Sequence, residues 1–514
     1  MIRNKISFLP SNSLALPPAA MSVVLITYLV LCVGLAYLMP FFPPLGLLGA
    51  IVINLVVLIF LQSRLALPFY ILVAGPSVAL SLASSGILSR LYIGNVLFLL
   101  VTGIWILQIV LPERKSGRVK LEPMLLAPLL ALILTGLVSI IYSRLFPDPN
   151  VSYTYPNSTV SITITNLSEM ALLIGLPFFL VLVPGVVRTV RDVRWVIGAY
   201  VCAGMMYALG TIFAAPLNLY SKVVILGNRR PEVFGSTSSA LGGLILLFAC
   251  VAFARALYTP KGLTRLFWGA VCLIFSIGVV MTFGRESWIG LFLALFLMYT
   301  CRTKNWSVLL VLILPLVLLL IPGVSDFFDP SKVYGVDRLK IWQDAYNIWL
   351  RSPYFGVGAG NYQFFDRAYG TDVVGLAHNQ YLSVLAEMGV QGLICFIWLL
   401  IAVGVRTFKS MKEAKTNLGK SIALAYIGFY ANIVFGGFFT GIFIPSSASG
   451  GGTGPFVEAS YRWLLLGLVL SIPNLEKEAE TAEQRDSQQE NNLTELTEQE
   501  LVPYLRAQSR VDIK

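Results

Sequence analysis

Residues 124–142 read MLLAPLLALILTGLVSIIY, nineteen consecutive uncharged residues that as a helix can cross the hydrocarbon core of a bilayer. Similar segments recur along the chain, which is 57% hydrophobic and only 12% charged. Soluble domains carry about 25% charged residues. Runs of this length fit helices, whereas the strands of a membrane barrel would be half as long and would alternate. The sequence therefore predicts an all-α, polytopic membrane protein.

Apolar length, and the charged or Pro/Gly breaks between runs, predict twelve to fourteen transmembrane helices. The number stays open because the short runs on either side of Gly284 and Arg285 fit either two spans or one broken, re-entrant unit. The predicted spans lie near residues 22–39, 44–62, 67–87, 91–111, 124–142, 168–186, 195–213, 236–256, 265–283, 286–300, 306–322, 383–404, 421–443 and 459–472.

These spans divide the chain into five predicted parts. Residues 1–21 form a cytoplasmic N-terminus without an evident cleavable signal. Transmembrane helices occupy residues 22–322 and 383–474, and residues 323–382 between them form a large external loop. A loop of that size in a compact membrane protein is usually functional. Residues 475–514, rich in Glu, Gln, Asn and Thr, form a tail that we expect to be disordered and cytoplasmic.

Lysine and arginine gather in loops that all fall on one side of the membrane if the predicted spans alternate. The basic loops are 112–121, 188–194, 255–265, 302–304 and 406–420. The positive-inside rule makes that side cytoplasmic and places both termini inside. The formal charge of +11 then reflects topology, which in so apolar a chain is a better account than binding to nucleic acid.

Four arginines break this rule by falling on the external side or at the outer ends of spans: Arg229, Arg230, Arg285 and Arg338. Arg285 lies between two apolar runs with almost no loop to solvate it, which favours a function. The alternatives for Arg285 are a local pair with Glu286 or snorkelling to the headgroups. Adjacent Arg229 and Arg230 suit a phosphate, because guanidinium groups donate paired hydrogen bonds, although lipid phosphates would serve equally.

The external loop carries a predicted amphipathic helix followed by a glycine-rich turn. Its apolar positions recur at helical spacing and are Ile341, Trp342, Ala345, Ile348 and Trp349. Such a helix at the outer interface would hold Arg338 over a cavity mouth, unless it is a plain surface helix. No strand precedes Gly356-Val357-Gly358 and no Lys-Ser/Thr follows, so these glycines indicate a tight turn rather than a nucleotide loop.

His378 is the only histidine in 514 residues, and it ends the external loop in the run Gly375–Leu382. Histidine is the side chain whose unperturbed pKa lies near neutrality, which makes it a candidate for proton transfer. The alternative is an interfacial side chain with one satisfied hydrogen bond. The six cysteines fall in or beside apolar runs without metal-ligand spacing, so we expect no zinc site and no disulfide framework.

Together these motifs resemble the O-antigen ligase and polysaccharide polymerase family of bacterial envelopes. The resemblance covers roughly residues 229–400 and depends on the order of the motifs. That order is Arg229-Arg230 before Phe234-Gly235, Gly284-Arg285-Glu286-Ser287-Trp288, Arg338 before Trp342, Pro353 and Gly356-Val357-Gly358, His378-Asn379-Gln380-Tyr381-Leu382, and Glu387-Met388-Gly389-Val390-Gln391-Gly392. Glu232 stands where a small residue is expected, which leaves open whether Arg229 or Arg230 binds.

The resemblance implies a metal-independent glycosyltransferase of the GT-C type, without a cofactor. Its donor would be a glycan on undecaprenyl diphosphate. Its acceptor would be a sugar hydroxyl, on lipid A–core or on a growing lipid-linked glycan. The protein would lie in the bacterial inner membrane, and its active site would face the periplasm.

The residue types suit that chemistry independently of the family. Fixed arginines stabilise the negative charge that develops on a diphosphate leaving group, so Arg285 and Arg338 are the main candidates, with Arg229 or Arg230 as a further clamp. Neutral His378 would take the proton of the acceptor hydroxyl. Further candidates for orienting the acceptor are Asn379, Tyr381 and Glu387. The external stretches offer no Asp-x-Asp pair for a divalent ion, which makes a metal mechanism less favoured.

Two other classes of protein fit parts of the sequence. A transporter, such as a lipid-linked oligosaccharide flippase, fits the number of spans, but it should usually show internal repeats with matching broken helices, and none is evident. A structural or sensor membrane protein would not need the external arginines. Within the enzyme class, the sequence leaves open the choice between ligase and polymerase, the sugar, the linkage and the oligomeric state.

Overall fold

The computed structural model describes residues 65–76, 92–110, 122–154, 161–225, 228–304, 338–371, 375–446 and 454–508. The helices in these ranges are α1 (Ala66–Ala74), α2 (Ile93–Val110), α3 (Pro123–Leu145), α4 (Ile162–Gly175), α5 (Phe179–Val186), α6 (Val190–Ile212), α7 (Ser238–Tyr258), α8 (Leu263–Met281), α9 (Arg285–Thr303), α10 (Arg338–Trp349), α11 (Tyr362–Tyr369), α12 (Gln380–Glu413), α13 (Asn417–Gly436) and α14 (Gly454–Gln508). Between α6 and α7, strands β1 (Tyr220–Ile225) and β2 (Asn228–Pro231) form an antiparallel hairpin.

In the described part of the chain, eight helical segments are long and apolar enough to cross a membrane, with α4 and α5 taken as one broken span. The prediction of a polytopic helical membrane protein is therefore confirmed. The predicted spans 22–39, 44–62 and 306–322 lie outside the described residues. The total of twelve to fourteen spans accordingly stays a prediction.

Signals at the helix starts account for where several spans begin. Pro123 occupies the first turn of α3, where its missing N–H costs no hydrogen bond. Thr189 and Asp192 form a capping box at α6, in which each side chain accepts a hydrogen bond from the other residue's backbone N–H. Thr416 caps α13 by accepting a hydrogen bond from the Gly419 N–H at 3.1 Å.

Small residues let the helices around α7 approach closely. A Cβ atom added at Gly242 of α7 would overlap Ser287 of α9. One added at Gly290 of α9 would overlap Asn432 of α13. Close approach through small residues is typical of helices packed within membranes. These contacts fix the first turn of α9, which carries Arg285, against its neighbours.

Helix α12 connects the two ends of the bundle, because its 34 residues correspond to about 50 Å of helix. We call the end beside Gln380 the histidine end and the end beside Arg406 the basic end. At the basic end Arg406 forms an ion pair with Glu122 at 3.1 Å, and Arg255 donates to the Ser421 hydroxyl at 3.3 Å. The described basic loops therefore share one end of the bundle, as the alternation of spans predicted.

The tail from Glu476, which we predicted to be disordered, continues α14 as a helix to Gln508, and its disorder stays a prediction. The tail is rich in Glu and Gln, which are good helix formers as well as common residues in disordered segments. Contacts with the bundle hold the start of this extension. Glu476 accepts from the Thr416 hydroxyl at 2.8 Å, and Glu480 pairs with Lys415 at 2.6 Å.

The predicted external loop contains two helices, α10 and α11, which pack over the histidine end. The helix predicted from the apolar positions between Ile341 and Trp349 is present as α10, and its buried side chains are Ile341, Asp344, Ala345 and Ile348. A second, smaller hydrophobic core forms here between α10, α11 and the first part of α12, and its most buried members are Ala345, Ile348, Phe364 and Ala386. The loop is thus a folded cap with its own core.

Candidate active site at the histidine end

His378 lies directly before α12, in a backbone conformation that few residues adopt. Its φ is 46°, in the left-handed region, where histidine is enriched relative to bulky and branched residues. The next residue, Asn379, is the N-cap of α12, and its side-chain oxygen accepts from the Leu382 N–H at 3.1 Å. Tyr381 donates its hydroxyl to the Val434 carbonyl at 2.8 Å. Two of the three residues predicted to orient the acceptor, Asn379 and Tyr381, therefore contact the protein itself.

Gln380 joins the start of α12 to residues 437–446, which we call the exit segment of α13. The Gln380 backbone N–H donates to the Gly437 carbonyl at 2.7 Å. Its side-chain amide donates to the Ile444 carbonyl at 2.7 Å and accepts from the Phe443 N–H at 2.9 Å. The residues just before α12 are thereby fixed against the exit segment. Gln380 was not among the predicted site residues, because its only signal in the sequence is its place directly after a helix cap.

Arg338 begins α10 and reaches the exit segment. Its Nη1 atom donates to the Phe439 carbonyl at 3.3 Å, and its guanidinium carbon lies 5.7 Å from the centre of the Phe439 ring. Among the described residues, no carboxylate lies within ion-pair distance of Arg338. A cation held by a carbonyl and a ring keeps its charge for an anion that approaches from outside.

Charges from α9 and α10 act together on His378. Burial, and then the positive charge of Arg338, lower the pKa of His378 below its ordinary value of 6.5, while the Glu286 carboxylate opposes the shift. The imidazole is therefore neutral at pH 7, and one ring nitrogen can accept a proton. The structure thus brings together His378, Arg338 and the first turn of α9, which lie far apart in the sequence.

Arg285 and Glu286 form the first turn of α9, directly after a short turn from α8. The turn is closed by Thr282, whose hydroxyl accepts from the Gly284 N–H at 3.3 Å. Glu286 accepts from the Ser239 hydroxyl at 2.6 Å, which ties the starts of α9 and α7 together. The predicted lack of loop around Arg285 is confirmed. Helices α8 and α9 have 19 residues each, and of the two α8 is among the helices that are long and apolar enough to cross a membrane.

Arg229 and Arg230 lie in β2 of the hairpin, where the sequence predicted no strand. Arg229 pairs in register with Val224, and beyond the strands the Glu232 N–H still donates to the Leu219 carbonyl at 3.0 Å. The strands were missed because they have only six and four residues and carry no clear alternation. A turn after β2 leads into α7 at the histidine end, so the hairpin follows the predicted order of motifs.

Left-handed backbone marks three of these motifs. Five non-glycine residues in the described ranges have positive φ, and three of them are Phe234 at 53°, Phe283 at 55° and His378 at 46°. Phe234 follows the hairpin, and Phe283 lies two residues before Arg285. Such conformations cost about 1–3 kcal/mol each and gather at binding and catalytic sites. The pattern supports a functional role for this end of the bundle.

The glycine-rich turn after α10 packs on a kink in α12. Gly389 interrupts the helix with φ 70° and ψ −171°, a conformation almost restricted to glycine, and Gly356 has φ 72°. Three backbone hydrogen bonds join the two segments: Val357 N–H to Ala386 carbonyl at 2.9 Å, Gly358 N–H to Glu387 carbonyl at 3.0 Å, and Val390 N–H to Pro353 carbonyl at 3.0 Å. The prediction that these glycines form a tight turn is confirmed.

Glu387 is buried at this kink, where its side chain is 4% exposed. Its Oε1 atom accepts from the Tyr362 N–H at 3.2 Å, and buried Glu169 of α4 lies close to it. Both carboxyl groups line a cavity of about 70 Å³ that also reaches His378 and Thr440. A cavity of this size holds several water molecules but no sugar chain. Water can therefore reach the imidazole from inside the protein.

Neither histidine nor cysteine contributes to a metal-binding cluster in the described ranges. No group of three or more His, Cys, Asp or Glu residues is arranged there to hold an ion. The described cysteines are all free thiols.

Comparison with known proteins supports the resemblance seen in the sequence. Residues 270–397 match the family model described as O-antigen ligase. The matched segment contains Arg285, Arg338 and His378, and it confirms the predicted resemblance over this part of the chain. The match supports a membrane protein that ligates or polymerises glycans.

Other comparisons add little. No curated protein matches the chain. Six chains of solved structures match, and one comes from a structure described as "Structural coordination of polymerization and crosslinking by a peptidoglycan synthase complex". It is 15% identical, the match covers 68% of this chain and 97% of that chain, and the TM-score is 0.40. At that TM-score we base no conclusion on the likeness.

Proposed function

We propose that this protein is an integral-membrane glycosyltransferase that moves a glycan from undecaprenyl diphosphate to a sugar hydroxyl. One observation carries the proposal. Neutral His378 lies within electrostatic reach of Arg338 and of the turn that contains Arg285, inside the segment that matches the O-antigen ligase model. A base beside fixed cations is what transfer from a lipid diphosphate requires.

The reaction is a single inverting displacement. The acceptor hydroxyl oxygen forms a bond to the anomeric carbon of the donor sugar while the bond from that carbon to the diphosphate oxygen breaks. The hydroxyl proton goes to the neutral imidazole of His378, and the electron pair of the broken bond leaves with the lipid diphosphate. Arg285 and Arg338 stabilise that charge, and Arg229 or Arg230 adds a further clamp.

Arginine chemistry replaces a metal ion in this proposal. Guanidinium groups stay charged at any working pH and match phosphate oxygens with paired hydrogen bonds. The left-handed turns at Phe283 and His378 hold the groups in place before the substrate arrives, which reduces the reorganisation needed in the transition state. Glu387 supports the cap through its contact with the Tyr362 backbone.

The site faces the periplasm of a bacterial inner membrane in this proposal. Its support is the gathering of Lys and Arg at the basic end, which the positive-inside rule assigns to the cytoplasm. The histidine end is then external, where lipid-linked glycans await transfer. Both termini are cytoplasmic in this arrangement.

Purified protein in liposomes, given lipid-linked glycan and lipid A–core or a second lipid-linked repeat, tests the proposal. We expect glycan on the acceptor, release of undecaprenyl diphosphate, the same rate in a metal chelator, and loss of transfer in His378→Asn. The proposal fails if wild-type protein moves glycan across the bilayer without joining it. It also fails if His378→Asn keeps transfer and loses translocation, which would indicate a flippase.

Deletion of the gene separates ligase from polymerase. Loss of long chains on lipid A, with lipid-linked polymer accumulating, indicates a ligase. Caps of a single repeat indicate an O-antigen polymerase. Loss of a secreted or capsular polymer indicates an exopolysaccharide enzyme. Each outcome identifies the acceptor, because the donor and the leaving group are the same for all three kinds of enzyme.

A further inference from the structure

We propose that Arg462 and Trp463 of α14 are positioning residues for the transfer reaction, which they serve by holding the exit segment of α13 against Arg338 and His378. The inference rests on the proposed function. Neither residue lies in the segment that matches the family model, and both are buried inside the last span. A buried cation in a transmembrane helix is a functional hypothesis by default.

Two adjacent side chains of α14 bind two adjacent carbonyls of the exit segment. Arg462 donates from Nη1 to the Ile442 carbonyl. Trp463 donates from Nε1 to the Phe443 carbonyl at 3.0 Å, and its ring stacks on the Phe443 ring with centres 4.5 Å apart. Helix α14 therefore holds the exit segment at two consecutive residues.

The exit segment also contacts Arg338 and Gln380, which belong to the candidate active site. Arg338 donates to the Phe439 carbonyl, and Gln380 bonds the backbone of Gly437, Phe443 and Ile444. His378 is only two residues before Gln380. A shift of the exit segment therefore moves the cation and the base together. A misplacement of about 1 Å can cost about 100-fold in rate.

The surroundings of Arg462 are those of a fixed group. It is 4% exposed, and Glu458 one turn earlier on α14 supplies the opposing charge. A Cβ atom added at Gly243 of α7 would lie 3.8 Å from Arg462 Nη2, so the guanidinium packs against that helix. Glu458 also lies beside Ser236, in the turn that follows the hairpin arginines. Helix α14 thus contacts both sides of the site.

Three variants test the proposal in the full-length protein. Trp463→Phe keeps the stacked ring and removes only the donor. Arg462→Met removes the donors and keeps the bulk, and Arg462→Lys restores one donor. We expect Trp463→Phe and Arg462→Met to lower kcat about tenfold to 100-fold with KM for the lipid-linked donor within about twofold. We expect Arg462→Lys to recover part of the loss.

Arg406→Met is the matched control, because Arg406 is equally buried and hydrogen-bonded but lies at the basic end. It should lower the melting temperature and leave kcat unchanged. Hydrogen exchange of the peptide covering residues 437–446 gives a readout that does not depend on activity. We expect faster exchange there in Trp463→Phe and Arg462→Met, and wild-type exchange in Arg406→Met.

The outcomes separate this proposal from the proposed function. If wild-type protein transfers no glycan, the function fails, while faster exchange at residues 437–446 still supports the contact of α14 with the exit segment. If transfer occurs but kcat in Trp463→Phe and Arg462→Met stays at the wild-type value, the positioning role is wrong. It is also wrong if Arg406→Met lowers kcat as much, since the loss then follows from stability alone.

Discussion

Arg406 at the basic end and Arg338 at the histidine end are held in opposite ways. At the basic end, Arg406 lies 3.1 Å from Glu122 and 3.5 Å from Glu413. At the histidine end, the described contacts of Arg338 are a backbone carbonyl and an aromatic ring of Phe439. A cation between two carboxylates is neutralised in place and serves the fold. A cation whose partners are neutral keeps its positive potential, which can attract an anionic ligand.

Left-handed residues show the same contrast. At the basic end Lys304 has φ 57° at the C-cap of α9, where its N–H bonds the Thr300 carbonyl and the conformation simply ends a helix. At the histidine end His378 adopts φ 46° immediately before the N-cap of α12, where no helix end requires it. Backbone strain that no helix end requires is typical of a binding or catalytic site.

The largest expected effect comes from His378→Asn. Asparagine tolerates the left-handed conformation, so the backbone is kept while the base is lost. We expect the rate of transfer to fall about 100-fold to 10,000-fold. Lys304→Asn is the matched control, because it preserves a left-handed residue at the basic end, and it should transfer at the wild-type rate. Equal losses in both variants would remove the distinction between the ends.

Arg338→Lys should have the next largest effect. Lysine keeps the charge but loses the planar fork that matches phosphate oxygens, so we expect kcat/KM to fall about tenfold to 1,000-fold. Arg406→Lys, the same change at the basic end, should lower the melting temperature in detergent and leave kcat/KM unaltered. A loss of transfer confined to Arg406→Lys would contradict the assignment of the site.

The pH dependence of kcat/KM should then shift in Glu286→Gln. Because transfer needs neutral His378, kcat/KM rises with pH through the pKa of that residue and levels above it. Glu286 raises this pKa, so its removal lowers the pKa further and moves the acid limb to lower pH. Glu413→Gln at the basic end should leave the profile unchanged. If the acid limb moves to higher pH in Glu286→Gln, the assignment of His378 as the base is wrong.

The smallest effect is expected for Tyr381→Phe. Its hydroxyl donates to the Val434 carbonyl, so the variant should lose about 1 kcal/mol of stability, seen as a lower melting temperature. Transfer should change less than about twofold. A large fall in kcat with unchanged stability would instead assign Tyr381 to the acceptor, as the motif alone suggested.

Apolar length alone predicted most of the helices, because a helix that crosses a bilayer must satisfy its backbone internally over about twenty residues. Length does not reveal hydrogen bonds between distant segments. The hairpin at residues 220–231 was missed because its strands are short and carry no clear alternation. The kink at Gly389 was missed because its lost helical bonds are replaced by a loop some thirty residues earlier.

The candidate site was predicted only in part, because the sequence reveals unusual charges but not contacts with the backbone. Arg285, Arg338 and His378 were found because a charge or a lone histidine beside apolar runs is unusual in the sequence itself. Gln380 and Trp463 act by binding backbone carbonyls, and such contacts leave no mark on composition or spacing. Arg462 did carry a signal, a charge inside an apolar run, and was overlooked.

The kink at Gly389 has a consequence for protein engineering. Ala386 and Glu387 accept backbone hydrogen bonds from the glycine-rich turn, so the stretch before Gly389 is joined to the cap as well as to the long helix that follows. Chimeras with related proteins that exchange the cap should therefore be joined at Gly389. A junction at the start of the helix would take His378 from one parent protein and the helix backbone that holds it from the other. In such a hybrid the imidazole would no longer be aligned with the rest of the site.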